Sequence, residues 1–283
     1  MANNSGFDYS DRTTYAVKSV LIEMGQLLGN FRGKFVVIGG LVPWLLQENE
    51  DLSHVGTMDL DICLDPEALA DHRYADLIKT LLEHDYKQDP SRRRFQLVRT
   101  VDPKDTGPPI EVVIDFLMPE QAQVTRRSSP LIDDFAVIRA SGAALTLEFY
   151  QECQVKGRMP NGSTNQVAIS IASIPSLLVT KGFALNNRLK EKDAYDIYYC
   201  VRNYDGGLSK RVQDCLPLLE HADARRGYSY IDEKFTAVDS YGPVSVGNFV
   251  QSSNTLQGRT FEQWRLDAFG QVDAWLRELK LRN

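Results

Sequence analysis

Three aspartates define the chemistry open to this chain. Asp59 and Asp61 lie in the run Thr57-Met58-Asp59-Leu60-Asp61-Ile62-Cys63-Leu64, and Asp115 in Ile110-Glu111-Val112-Val113-Ile114-Asp115-Phe116. In an extended chain, alternate side chains fall on opposite faces. Met58, Leu60, Ile62 and Leu64 are then directed into a core, while Thr57, Asp59 and Asp61 share the other face. Likewise Ile110, Val112, Ile114 and Phe116 face inward and Asp115 outward. Carboxylates held side by side repel each other unless a cation compensates. An all-oxygen donor set suits Mg²⁺, with Mn²⁺ as a substitute. Two such ions can clamp an in-line displacement at a nucleotide α-phosphate. Asp59 and Asp61 are expected to bind both ions. Asp115 is expected to hold the ion at the attacking hydroxyl and to help remove its proton.

Two further groups of residues extend this site. Gly39-Gly40 lies where the apolar run 35–38 hands over to a helix, a place where backbone can approach a phosphate. Downstream, Lys181, Arg188, Lys192, Asp193 and Asp196 form a charged cluster. On a continuous helix, positions seven apart lie within roughly 20° of each other. Lys181 and Arg188 therefore share a stripe and can reach triphosphate oxygens, Lys181 as an exposed side chain. Asp193 and Asp196 face together on the next helix. They either lock two helices by pairing with the cations or orient those cations toward a nucleotide, and a mixed role is expected. The histidines, His54, His72, His84 and His221, show no ligand spacing and are expected at the surface. No Gly-x-Ser-x-Gly, Walker A or cysteine-nucleophile pattern is present.

The elements that must position these residues follow from periodicity. A first amphipathic helix is predicted over 15–28, with Val17, Val20, Leu21, Met24, Leu27 and Leu28 on its apolar face. Strands are predicted over 35–38, 56–64, 95–101 and 110–117, with helices from Leu41 and over 66–83. Strands over 144–155 and 166–171 follow, separated by a turn over 157–165. Beyond Pro175 the pattern turns helical: 175–189, 192–203, 209–219 disturbed at Pro217, and 228–238. The Gly- and Ser-rich stretch 239–253 reads as a loop before a long terminal helix. The expected architecture is α+β: a mixed-sheet nucleotidyltransferase domain over 1–172, followed by a mainly helical domain over 173–283.

Composition narrows the alternatives. The 283 residues are 43% hydrophobic and 25% charged, which is globular composition. No apolar stretch reaches the roughly 20 residues a bilayer span needs, and no export signal is visible at the start. Four widely spaced cysteines show no paired metal spacing, so free thiols in a cytoplasmic protein are expected. The net charge of −6 argues against a surface coated in positive potential. Local basic patches remain at Arg92-Arg93-Arg94 and Arg126-Arg127, either solvated surface or a contact for RNA or triphosphate.

Together, Gly39-Gly40, Asp59-x-Asp61 and Asp115 resemble the motifs of the DNA polymerase β-like nucleotidyltransferase superfamily. The set Lys181-x₆-Arg188 with Lys192-Asp193-x₂-Asp196 resembles the additional motif of its AbiEii/AbiGii toxin branch, which belongs to type IV toxin–antitoxin and abortive-infection systems. The resemblance runs from residue 39 to 196. It implies an α/β catalytic domain with a helical partner domain, Mg²⁺, a nucleoside triphosphate, and transfer of a nucleotide to RNA, for some members the 3′ end of tRNA. It also implies a cognate antitoxin and makes Lys181 a catalytic-site cation. The interval from Gly40 to Asp59 is longer than the family commonly shows, which implies an inserted loop over 48–54. Two other functions fit the shared motifs: a small-molecule nucleotidyltransferase of the antibiotic-modifying kind, and a non-catalytic nucleotide-binding module.

Overall fold

Alternation of apolar residues places the strands, and pairing then assembles them into one mixed sheet. The computed structural model describes residues 11–47, 52–66, 73–102, 107–122 and 137–282. Two compact units emerge: Ser10–Leu41 with Gly56–Ser173, and Val42–Val55 with Ile174–Asn283.

In the first unit, β1 (Phe35–Ile38), β2 (Asp59–Leu64), β3 (Tyr86–Lys87), β4 (Gln96–Val101), β5 (Ile110–Pro119), β6 (Ile138–Ala140), β7 (Tyr150–Arg158) and β8 (Thr164–Ala172) form the sheet. The order is β3-β4-β5-β2-β1-β8-β7, with β6 paired to β5. The central pairs are β2 parallel to β5 and antiparallel to β1. Helix α1 (Asp11–Leu27) packs across β2, β4, β5, β7 and β8. Its Val17, Val20, Leu21 and Met24 are fully buried, as are Leu60, Val112 and Ile114 of the strands. The opposite face of β2 starts with Asp59 and Asp61 and continues to Cys63. Cys63 packs with Val36, Ile38, Ala143 and Ala172, and Leu147 closes over them. Helix α3 (Arg73–Leu82) completes the unit together with α4 (Ala144–Glu148).

Residues 144–148 correct the sequence expectation of one strand over 144–155. The short helix is held by Thr146, whose hydroxyl donates to Ala143 O at 2.7 Å, and the strand begins only at Tyr150. The expected turn over 157–165 is also shorter, because Arg158 already pairs with Thr164. The turn proper is fastened by Met159 N–H donating to Ser163 O.

The second unit is helical. Helix α2 (Leu41–Leu46) leads into it from β1, and α5 (Ile174–Arg188), α6 (Glu191–Arg202), α7 (Gly207–Cys215), α8 (Ala222–Lys234), α9 (Tyr241–Ser252) and α10 (Phe261–Glu278) make it up. As expected, Pro217 ends α7, and a 3₁₀ turn over Leu216–Glu220 follows. Helix α9 overturns the predicted loop over 239–253. Pro243 falls in its first turn, where a missing N–H is harmless. Val246, Phe249 and Val250 are buried at helical spacing. Its glycines act as contact points: a Cβ on Gly242 would meet the Phe235 ring at 2.4 Å, and one on Gly247 the Phe261 ring at 2.6 Å. Among the described residues, no helix is long and apolar enough to cross a membrane.

Candidate metal centre

Pairing brings the three aspartates together. In the parallel β2–β5 ladder Asp61 stands beside Asp115, and Asp59 lies on the same face of β2. One carboxylate oxygen from each of Asp59, Asp61 and Asp115 can be chosen so that all three lie within 4.8 Å of one another. All three side chains are half-buried. Three converging carboxylates with only oxygen donors can hold a metal ion.

Neighbouring residues fix the carboxylates in place. The buried Thr57 donates its hydroxyl to Asp59 Oδ1 at 2.8 Å. Thr57 is itself anchored, since its N–H donates to Thr14 Oγ1 at 3.1 Å. Gln96 faces Asp115 across the β4–β5 ladder and donates from Nε2 to Asp115 Oδ1 at 2.8 Å. Its Oε1 accepts the Arg93 N–H at 3.1 Å, which fixes the amide with its donor end toward the carboxylate. The sequence reading missed Gln96. Its strand was legible, but only the ladder register reveals which residue of that strand meets Asp115.

Gly39 has a direct role in this geometry. Its φ of +78° suits glycine, and a Cβ there would lie 1.8 Å from Asp61 Oδ2. The glycine therefore lets the Asp61 carboxylate rest against the main chain. Gly40 follows and opens α2.

The Lys181–Asp196 cluster lies in the helical unit, and its members other than Arg188 are buried. Lys181 Nζ donates to Asp193 Oδ1 at 2.9 Å and to Asp196 Oδ2 at 2.6 Å. Lys192 Nζ reaches Asp196 Oδ1 at 2.6 Å, and Arg188 Nε and Nη2 clasp Asp193 at 2.6 and 2.8 Å. Lys181 is only 7% exposed, which overturns its expected place as an exposed cation. The Arg188 side chain keeps 56% of its exposure. The acids thus lock α5 to α6 through the cations, as one of the two sequence readings anticipated.

His54 joins this cluster and overturns the expectation of a surface histidine. It is 5% exposed, and its Nε2 lies 3.0 Å from Asp196 Oδ1. An ionised carboxylate only accepts, so Nε2–H donates. The following residue, Val55, donates its N–H to Tyr195 Oη at 3.1 Å, which fastens the segment to α6. No ligand spacing marks His54 in the sequence, and its partner lies 142 positions away. Residues 48–51 of the expected inserted loop, together with His72, Arg126 and Arg127, lie outside the described residues.

The charge balance explains the titration of the cluster. Burial alone would lower the Lys181 pKa, but the Asp193 and Asp196 carboxylates outweigh it and raise it. Burial would raise Asp193, yet Lys181 and Arg188 bring it down to about 2. Asp196 is likewise held well below its ordinary value by Lys181, Lys192 and His54 against the effect of burial. His54 is lowered from 6.5 to about 4 by burial and by Lys192, with Asp196 opposing. The unfolded chain therefore binds a proton at this histidine between pH 6.5 and 4 that the folded chain does not. Stability from this group is fully present above pH 6.5 and falls by about 3 kcal/mol as pH drops to 4. A further loss follows below pH 3.8, as Asp193 and Asp196 take up protons. Urea unfolding across this range should show the upper limb in the parent and lose it in His54→Gln. An unchanged limb in His54→Gln would show that the histidine is not its source.

No family model matches this chain, and no curated protein matches it.

Proposed function

We propose that this chain is a metal-dependent nucleotidyltransferase that transfers a nucleotide from a nucleoside triphosphate to an RNA acceptor, with tRNA 3′ ends as the favoured class. The observation that carries this reading is the convergence of Asp59, Asp61 and Asp115 on one face of β2 and β5. These carboxylates would hold Mg²⁺, which when bound supplies positive charge at the phosphates and acidifies the attacking hydroxyl. Thr57 and Gln96 hold Asp59 and Asp115 in orientation. Asp115 accepts the proton of the acceptor hydroxyl as its oxygen bonds to the α-phosphorus. The bond from that phosphorus to the bridging oxygen breaks, and pyrophosphate leaves with the electron pair. The toxin-branch reading, with its cognate antitoxin, draws on the Lys181–Asp196 motif. Arg188 is the member of that motif that keeps substantial exposure.

The test is incubation of the protein with each labelled triphosphate, MgCl₂ and total RNA. Label should pass to RNA from at least one triphosphate and be lost when EDTA is added. Absence of transfer from all four would overturn the RNA reading. Transfer to a small hydroxyl compound alone would favour the antibiotic-modifying kind of enzyme.

A further inference from the structure

The register that puts Gln96 opposite Asp115 also puts the turn before β4 beside the carboxylate triad. That turn is fastened by its own side chains. Asp89 Oδ1 accepts from Ser91 N–H at 2.8 Å and from Ser91 Oγ at 2.7 Å, and Asp89 O accepts the Arg92 N–H. Arg92 is neutralised by Asp89 at 3.6 Å and Glu111 at 3.0 Å. Arg93 is exposed and has no carboxylate partner among the described residues. Its guanidinium lies 5.9 Å from the centre of the half-buried Phe95 ring. Its own N–H is tied to Gln96 Oε1, and the other end of that amide holds Asp115.

An unpaired cation over a partly exposed ring is the combination that binds single-stranded nucleic acid, the cation taking a phosphate and the ring a base. The geometry points to Arg93 and Phe95 as the contact for the acceptor strand, one phosphodiester on the guanidinium and one base on the ring. The inference takes its acceptor from the function proposed above. The contact lies on the Asp115 side, where that function places the attacking hydroxyl, so it selects a strand phosphate over the triphosphate.

The test measures fluorescence anisotropy of a dye-labelled single-stranded RNA oligonucleotide, which needs no turnover. Arg93→Ala should weaken RNA binding about tenfold, the fold-change of one charge-assisted contact. The slope of log affinity against log salt should shrink by about 0.7, as expected for one lost phosphate contact to a single strand. Phe95→Leu should weaken binding with the salt slope kept, because a ring contact releases no counterion. Triphosphate affinity should stay at the parental value in Arg93→Ala, and Arg277→Ala, an exposed position of α10 in the other unit, should match the parent for RNA. Parental RNA affinity and salt slope in Arg93→Ala would overturn the inference, as would an absence of RNA binding by the parent. A tenfold loss of triphosphate affinity in that variant would assign Arg93 to the nucleotide and also overturn it. Failure of the function itself reads differently: RNA binding responds to Arg93, yet no label is transferred.

Discussion

Asp59→Asn and Asp61→Asn should each lower nucleotide transfer by about 10³-fold, the loss that follows removal of a preorganised electrostatic contact to developing charge. The amide keeps the size of the carboxylate and drops the charge that binds a cation. At Asp59 the Thr57 hydroxyl can still donate to the amide oxygen, so the strand should not be disturbed. The metal-free protein should become slightly more stable, because one of three converging like charges is gone. Relief of like-charge repulsion between neighbouring strand positions is worth up to about 1 kcal/mol. For a chain of this size that raises Tm by about 2–4 °C. The paired measurements are transfer rate and Tm, each with and without MgCl₂. In the parent, MgCl₂ should raise Tm by mass action on the folded state. In both variants that rise should shrink or vanish. Full turnover in either variant would sink the assignment of the metal to this triad.

Lys181→Ala should unfold the protein far more readily, and this reverses what the sequence suggests. Read as an exposed cation, Lys181 could be removed with the fold intact. In the structure it is the shared partner of two buried carboxylates. Removing one member of a buried ion pair leaves an uncompensated charge and costs about 3–5 kcal/mol. Arg188 still clasps Asp193, and Lys192 and His54 still bind Asp196, so a value near the lower end is expected. At about 2–4 °C per kcal/mol, Tm should fall by about 6–12 °C. Asp193→Asn in the same background should recover part of the loss, because it removes a carboxylate that Lys181 no longer neutralises. A Tm within 1–2 °C of the parent would show that the cluster does not hold α5 and α6 together. Transfer must be assayed well below the variant's Tm, so that lost folding is not read as lost chemistry.

The acidic triad is legible in the sequence to the extent that local period reveals it. Alternation in 57–64 and 110–116 placed Asp59, Asp61 and Asp115 on polar faces, and those faces are the ones observed. The helices around Lys181 and Asp193 were read to within a residue or two, because their apolar spacing runs over many turns. Two other elements depart from the sequence expectation for separate reasons. Residues 144–148 are too short to show a period, and 239–253 is rich in residues that usually break helices. In helix α9 the glycines sit where the Phe235 and Phe261 rings leave no room for a Cβ, a requirement set elsewhere in the chain.

Which side chains share a face can be read from the chain locally, because it depends only on the repeat of a strand or a helix. The sequence also marks where the strands stop, since no strand follows Ala172 among the described residues and the apolar spacing beyond it is that of helices. Which faces meet depends on how strands and helices pair across the fold. Only the β2–β5 register sets Asp61 beside Asp115, and only the β4–β5 register gives Asp115 its Gln96 donor. Only folding turns Lys181 from a nominal surface cation into a buried counter-charge and draws His54 to Asp196 across 142 positions. The reason is physical: a charge is costly or useful according to the dielectric and the partners around it. Both are properties of the packed chain, and no local window of sequence contains them.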